Sequence, residues 1–162
     1  FTLEDLNMNK TACFIGHRKI IETEELTERL YKTIENLIIK ERVETFLFGS
    51  KSAFNGLCLE IATNLKEKHP FIKRVFVRAE YPVINDSYLD YLYKFYDDTY
   101  FSKSASGAGR ASYVKRNFEM IDESDFCVFY YNEECLPKGR KSGTKLALEY
   151  AMRKSKNIIV LH

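Results

Sequence analysis

Two hydrophobic patterns alternate along this chain. Short runs of consecutive apolar residues occur in "TACFIG", "ETFLFG", "KRVFVR", "FCVFYY" and "NIIVL", each bounded by glycine or polar residues. Such runs are typical of strands that are buried on both faces of a sheet. Between them, apolar residues recur every three or four positions, which is the spacing of one face of a helix. The pattern therefore predicts that strands and helices alternate.

The first two helices are predicted from their caps and their apolar faces. Thr23 is the expected N-cap of a helix that runs to Lys40, because its side chain can accept a hydrogen bond from the first turn. A second helix is expected after Gly49. The inward faces of the two helices are predicted to carry Leu26, Leu30, Ile34, Leu37 and Ile38 in the first, and Phe54, Leu57, Cys58, Ile61, Ala62 and Leu65 in the second.

The later elements are shorter. A helix capped by Asp86 or Ser87 is predicted to run through Phe95, and "DTYFS" after it is a candidate edge strand. A further helix is expected at 113–122, and another after the segment "SGT" at 142–144. Strands that alternate with helices favour an α/β fold. We therefore predict a Rossmann-like three-layer domain over residues 10–162, with a mostly parallel sheet, helices on both faces and residues 1–9 as an N-terminal extension.

Composition narrows the class of protein. The chain has 162 residues, of which 45% are apolar, so it can fill one core. No apolar segment approaches the roughly 18 to 20 residues that a membrane span needs, and "FTLEDLNMNK" lacks the features of a secretion signal. The four cysteines form no CxxC or Cys/His cluster, and only Cys135 is expected to be exposed. We therefore expect a soluble cytoplasmic protein with reduced thiols, no metal site, no cofactor and no membrane partner.

In a parallel sheet, ligands bind where the strands end and hand over to loops and helices. Several polar clusters are predicted to meet at that edge. They contain Gly16, His17 and Arg18; Gly49, Ser50 and Asn55; Arg78 and Glu80; and the start of the helix at 113–122. The segment "GRKSGT" at 139–144 completes the set.

"KGRKSGTKLALEY" places a basic cluster directly before a helix. If Ser142 or Gly143 opens the helix, unpaired N–H groups at its positive end can bind an anion. The alternative is that Ser142 only caps the helix and that the basic residues are solvated. The segment does not match the GxxxxGK[ST] phosphate loop. Its basic residues are Lys138, Arg140, Lys141 and Lys145.

Two further positions are candidates for ligand contact. Arg18 can hold a phosphate or carboxylate in a bidentate fork, whereas the ring of His17 is expected to bond a backbone carbonyl more readily than to act in catalysis. On the helix at 113–122, Asn117 falls on the same side as the apolar Val114 and Phe118. A polar amide there needs partners. Asn117 and Arg116 are therefore candidates to contact a ribose or phosphate, the alternative being a bond to a nearby loop.

Four segments taken together resemble the YpsA-like branch of the SLOG superfamily of Rossmann-like domains, which includes the SMF/DprA and LOG types. They are "CFIGHR", "FLFGSKSAFN", "KRNFEMIDESDFCVFYY" and "SGTKLALEYAMRKSKNIIVL", and the resemblance covers residues 10–162. It implies a pocket for a nucleotide derivative, such as an ADP-ribose-like or NAD-derived molecule. The lining that it implies is Gly16, His17, Arg18, Gly49, Arg116, Asn117, Ser142, Gly143 and Thr144.

The chain departs from that family in two places. Where similar proteins have a glycine-rich turn and an acidic residue, this chain has Ser50, Lys51 and Asn55, which indicates a more anionic ligand. LOG enzymes carry PGGxGTxxE, whose glutamate helps to cleave the bond between base and ribose phosphate. Ala147 stands at that position here, and Glu149 lies two residues further on.

The leading hypothesis is therefore a binding domain that senses or sequesters a phosphate-bearing nucleotide derivative. The alternative is a nucleotide N-glycosidase that uses Glu80, Glu133 or Glu149 as its carboxylate. A third possibility is binding of single-stranded DNA through the basic cluster, although the net charge of +2 is small for that function. The aromatic stretch at 81–101 is the predicted contact surface of a homo-oligomer, in the simplest case a dimer.

Overall fold

A computed structural model of the chain describes residues 9–136 and 142–162. The predicted N-terminal extension, apart from residue 9, lies outside the described residues. So does most of the basic cluster, including Lys138, Arg140 and Lys141. The expected single domain is described from its first strand onward.

The described chain forms one six-stranded sheet in which every neighbouring pair of strands is parallel. The strand order is β4-β3-β2-β1-β5-β6. This is the predicted α/β architecture. The strands are β1 (Lys10–Gly16), β2 (Val43–Phe48), β3 (Lys73–Arg78), β4 (Asp98–Phe101), β5 (Phe126–Tyr130) and β6 (Asn157–Leu161).

Helices cover both faces of the sheet. In the described residues the α-helices are α1 (Glu24–Ile39), α2 (Ala53–Lys68), α3 (Asp86–Tyr93), α4 (Ser112–Glu123) and α5 (Gly143–Arg153). Short 3₁₀ turns occupy Lys103–Ala105, Gly109–Ala111 and Glu133–Cys135. The side chains of α1 and α2 pack on one face of the sheet together with Leu92 of α3, and those of α4 and α5 pack on the other.

The two cores follow the alternation of side chains along each strand. Phe14, Phe46 and Phe48 point toward α1 and α2, whereas Cys13 and Ile15 point toward α4 and α5. The inward residues predicted for α1 and α2 are all buried, and Thr23 accepts the N–H of Leu26 as the N-cap of α1. The hydrophobic periodicity of these two helices therefore predicted their packing correctly.

The order of the strands shows where the chain reverses the direction in which it adds strands to the sheet. From β1 the chain crosses to β2, β3 and β4 on one side, and β5 then returns to pair with β1 on the other side. The loops that leave β1 and β5 lead to helices on opposite faces of the sheet, and the region between these loops at the carboxyl edge is called the crevice below. In open α/β sheets, such a switch point is where ligands bind.

Two details predicted for α3 are wrong. The N-cap of α3 is Asn85, whose Oδ1 accepts the N–H of Tyr88 at 2.8 Å, and the helix ends at Tyr93 rather than at Phe95. On α4, the most buried polar side chain is Arg116, whereas Asn117 is only half-buried. Apolar periodicity locates the inward side of a helix, but it does not rank two adjacent polar residues.

Three further predictions from the sequence concern the cysteines, membrane-spanning helices and the aromatic stretch. Cys13, Cys58 and Cys127 are buried and Cys135 is half-buried, and all four thiols are free. Within residues 9–136 and 142–162, no helix has both the length and the apolar character needed to cross a bilayer. The aromatic stretch at 81–101 exposes Tyr81, Tyr91, Tyr93 and Phe95. Its role in self-association stays a prediction.

Candidate functional site

The candidate site is the crevice between the ends of β1 and β5, together with the neighbouring ends of β2 and β3. The register of β1 and β5 places Gly16 beside Tyr130, so the residues that follow them, His17 and Tyr131, meet across the crevice. Their ring centroids lie 5.4 Å apart. The helices α4 and α5 begin at this same edge, because each runs antiparallel to the strands that it covers.

The side chain of His17, which follows β1, forms a hydrogen bond with the loop that follows β5. Its side chain is 4% exposed, and its Nε2 accepts the backbone N–H of Asn132 at 3.0 Å. A nitrogen that accepts this bond carries no proton, so the neutral ring has its proton on Nδ1. Burial lowers the pKa of His17 below its usual 6.5. The ring was expected to bond a backbone carbonyl, whereas its partner is a backbone N–H.

The lowered pKa of His17 predicts a specific dependence of stability on pH. As pH falls below 6.5, the unfolded chain takes up a proton on His17 before the folded chain does, so the free energy of unfolding decreases. The decrease ends once pH has passed below the folded-state pKa. We expect His17→Gln to show a smaller decrease between pH 7 and pH 5 in urea titrations than the wild type. An identical profile in the two proteins would contradict this role for His17.

Asn55 secures the loop between β2 and α2. It is 2% exposed, and its Oδ1 accepts the N–H groups of Gly49 and Ser50 at 3.1 and 3.2 Å. Its Nδ2 donates to the carbonyl of Phe14 at 3.1 Å. The side chain therefore links the end of β2 to β1, and both its oxygen and its nitrogen bond to the protein itself. Ser50 extends this arrangement, because its Oγ bonds the Oγ of Ser52 at 3.0 Å.

Asn55→Ala is expected to destabilise the fold strongly. The substitution leaves three buried or half-buried backbone groups without their partner, at about 1 to 3 kcal/mol for each group that stays unsatisfied. We expect a loss of about 3 kcal/mol in the free energy of unfolding, measured by urea denaturation. Asn64→Ala, at an exposed position on the same helix, is the matched control. Similar small losses in both variants would show that the fold does not depend on the hydrogen bonds of Asn55.

Arg116 is the most unusual side chain at this edge. It is 5% exposed, and it lies against Gly49, where an added Cβ would be 2.8 Å from Nε. Its Nε and Nη2 both donate to the same oxygen, Oδ1 of Asn117, at 3.3 and 3.2 Å. Within the described part of the chain, it forms no ion pair with a carboxylate. Burial lowers the pKa of Arg116 to about 10, so the group stays charged at neutral pH.

Tyr113 and Glu80 surround Arg116. The guanidinium carbon lies 5.4 Å from the ring centroid of Tyr113, one turn earlier on α4. The hydroxyl of Tyr113 donates a hydrogen bond to Oε1 of Glu80, which follows β3. The charge of Glu80 acts on Arg116 and partly opposes the effect of burial on its pKa. The carboxyl end of β3 and the start of α4 therefore form one polar cluster.

The N-terminus of α5 follows the loop that leaves β5 at the carboxyl edge of the sheet. Ser142 is its N-cap, and the Oγ of Ser142 accepts the N–H of Lys145 at 3.2 Å. The N–H groups of Gly143 and Thr144 have no acceptor among the described residues. The N-cap formed by Ser142 uses one N–H group and leaves those of Gly143 and Thr144 at the positive end of the helix. Ser142 can therefore cap the helix while its first turn binds an anion. Thr144 is buried and Gly143 is exposed.

Of the remaining predicted site residues, Arg78 bonds within the protein, and the others are exposed on its surface. Arg78 is 8% exposed, and it donates to the carbonyl of Tyr81 at 3.2 Å and to Oγ1 of Thr99 at 3.0 Å, so it fastens the loop after β3. Arg18 is exposed at the mouth of the crevice. Glu133 and Glu149 are exposed, but only Glu80 among the three candidate carboxylates bonds to a residue of the Arg116 cluster.

Sequence reasoning missed two residues that shape the site. Tyr113 joins Glu80 to Arg116, and its spacing of three from Arg116 on a helix was a usable signal. Tyr130 holds the loop after β1, because its hydroxyl accepts the N–H of Ile21 at 3.0 Å. That contact joins residues more than a hundred positions apart, and no local pattern indicates it.

Comparison with known proteins adds no family to this description. No protein-family model matches the chain, and a search of curated proteins found no significant match.

Proposed function

We propose that the crevice binds a phosphate-bearing nucleotide derivative, for which ADP-ribose-like and NAD-derived molecules are the leading candidates. The observation that carries this proposal is the buried charge of Arg116. A guanidinium removed from water without a carboxylate partner costs several kcal/mol, and an anionic ligand offsets that cost. Phosphate suits the guanidinium because its oxygens accept paired N–H bonds.

Two neighbouring features support the same ligand class. The N–H groups of Gly143 and Thr144, which bond to no acceptor in residues 9–136 and 142–162, offer a second anion contact at the start of α5. His17, with its proton on Nδ1, supplies a neutral donor at the same carboxyl edge of the sheet. The resemblance of "GHR", "RN" and "SGT" to SLOG domains agrees with this assignment, since it implies a nucleotide site built from the same segments.

The second candidate function is a nucleotide N-glycosidase, and Glu80 favours it. This carboxylate bonds Tyr113 beside Arg116, so it lies where a general acid or base would act on a sugar bound at the crevice. The position that carries the glutamate in LOG enzymes is Ala147, which lies on the buried face of α5. Binding without cleavage therefore stands first.

The two functions are separated by recovering whatever the protein retains. We would incubate it with NAD, ADP-ribose, cyclic ADP-ribose isomers and nucleoside monophosphates, desalt it, denature it and identify the released compounds by mass spectrometry. The expected result is one intact nucleotide, retained by the wild type and by Lys115→Gln but lost in Arg116→Gln. Lys115 is exposed on the same helix, so it controls for loss of charge alone.

Free base and ribose phosphate in the flow-through would instead support the glycosidase. Retention by Arg116→Gln at the level of the wild type would overturn the assignment of Arg116. Retention of no nucleotide by any of the three proteins would overturn the proposed function as a whole.

A further inference from the structure

Glu80 and Arg116 are opposite charges in one cluster that do not pair with each other. No ion pair joins them, although the charge of Glu80 acts on the guanidinium. Tyr113 lies between the two. Its ring faces Arg116, and its hydroxyl holds one oxygen of Glu80. The cluster is therefore a split charge pair, with an anion-binding group on one side of a tyrosine and an acceptor on the other.

The split pair suits a ligand that has an anion and hydroxyl groups close together. A carboxylate only accepts hydrogen bonds, and it has about four lone-pair sites, of which the hydroxyl of Tyr113 uses one. Glu80 is exposed, so the remaining sites face outward from the end of β3. A phosphate would be repelled from Glu80 and attracted to Arg116. Donor groups of the same ligand would bind Glu80.

The chemistry of a nucleotide limits which donors these are. The sugar hydroxyls are separated from the 5′-phosphate by a few bonds, whereas the polar edge of the base lies beyond the sugar. Two adjacent hydroxyls also match the two oxygens of one carboxylate, and acidic residues near strand ends of Rossmann-like sheets bind ribose in this way. The group that lies next to the anion site is therefore suited to the sugar rather than to the base.

We propose that Glu80, held in place by Tyr113, accepts hydrogen bonds from the ribose hydroxyls of the ligand, so that the site selects ribonucleotides over deoxyribonucleotides. This inference rests on the proposed function, and it adds the sugar specificity of the same crevice. It also gives the acidic ribose contact a place after β3, whereas the loop after β2 has Asn55, which bonds only to the protein itself.

The test changes one hydroxyl and one carboxylate together. AMP, 2′-deoxy-AMP and 3′-deoxy-AMP are titrated into the wild type and Glu80→Gln, and binding is followed by NMR. Hydrogen bonds to charged groups predict that the wild type prefers AMP over at least one deoxy analogue by about tenfold or more. Glu80→Gln is expected to bind the three compounds within about threefold of one another, because its amide is a weaker, neutral acceptor.

Two further variants separate this effect from general damage. Glu67→Gln removes an exposed carboxylate in the last turn of α2, away from the carboxyl edge of the sheet, and is expected to keep the preference of the wild type. Tyr113→Phe keeps the ring beside Arg116 but removes the hydroxyl that orients Glu80. It is expected to weaken the preference for AMP while leaving the affinity for the deoxy analogues within about twofold.

Equal affinity of the wild type for AMP and both deoxy analogues would overturn this inference and leave the proposed function standing. If AMP fails to bind while another nucleotide is retained in the mass-spectrometric experiment, the comparison is made with the 2′-deoxy and 3′-deoxy forms of that nucleotide, and equal affinities would overturn the inference in the same way. If no nucleotide is retained there and AMP also fails to bind, both are overturned.

Discussion

Arg116→Met is expected to make the ligand-free protein more stable while removing its affinity for phosphate. The buried guanidinium bonds one amide oxygen and pairs with no carboxylate in the described chain. Methionine keeps much of the volume beside Gly49 and Met120 without a charge to desolvate. Replacement of buried charges by apolar residues of similar volume often stabilises by about 1 to 4 kcal/mol. We expect a gain of about 1 to 3 kcal/mol in the free energy of unfolding.

Urea denaturation of three proteins measures this effect. Lys115→Met, at an exposed position on the same helix, is expected to change the free energy of unfolding by at most about 0.5 kcal/mol. A loss of stability in Arg116→Met that exceeds the change in Lys115→Met would show that the guanidinium stabilises the fold. Arg116 would then be a structural residue rather than part of an anion site.

Gly16→Ala is expected to destabilise the fold strongly. A Cβ at Gly16 would lie 2.3 Å from Cδ2 of Phe54 and 2.7 Å from its Cβ. Phe54 is fully buried and packs against Phe14 and Tyr130, so it has no space into which to move. Overpacking of this kind costs about 3 kcal/mol. We expect that loss in the free energy of unfolding, measured by urea denaturation.

Gly56→Ala is the matched control for Gly16→Ala. Nothing lies within 4 Å of a Cβ built at Gly56, which is exposed on the second turn of α2. Alanine restrains the unfolded chain and favours the helix, so this variant should gain about 0.5 to 1 kcal/mol. If both variants change the free energy of unfolding in the same direction, the close packing of Gly16 against Phe54 is not the cause of the effect at Gly16.

The contact between Gly16 and Phe54 also changes the interpretation of the segment "GHR". Sequence motifs placed Gly16 in the ligand pocket, whereas its contact is with the core side chain at the start of α2. The absence of a side chain at Gly16 lets β1 and α2 approach each other. His17, the next residue, then reaches Asn132 at the crevice. Gly16 thus has a packing role that explains its presence without a ligand.

The sequence predicted the architecture well because the two hydrophobic periods of this chain are strong. Runs such as "ACFI" are typical of a strand that is buried on both faces, and the stripe from Leu26 to Ile38 fits one face of α1. The alternation of these elements then led to a parallel sheet. Even the short edge strand β4 was predicted, since "DTYFS" has the required β-forming residues.

The site was predicted less well because its bonds join distant parts of the chain. Asn55 was interpreted as a ligand contact, but its partners include the carbonyl of Phe14, 41 positions away. Arg116 and Asn117 were both named, yet the apolar pattern favoured the wrong one as the buried side chain. The long aliphatic stem of arginine allows burial of a residue that hydropathy scores as polar. Only the assembled sheet edge resolves these roles.

We propose that the buried guanidinium of Arg116 and the start of α5 hold the anionic part of the ligand. The most direct test is NMR of ¹⁵N-labelled protein, in which the side-chain Nε–Hε signal of Arg116 and the backbone signals of Gly143 and Thr144 are followed. Inorganic phosphate, AMP and ADP-ribose are added in turn. We predict that all three signals shift together and saturate with at least one of these compounds, and that Arg116→Gln abolishes the shifts at Gly143 and Thr144. Unchanged signals from these residues with all three compounds would contradict the claim.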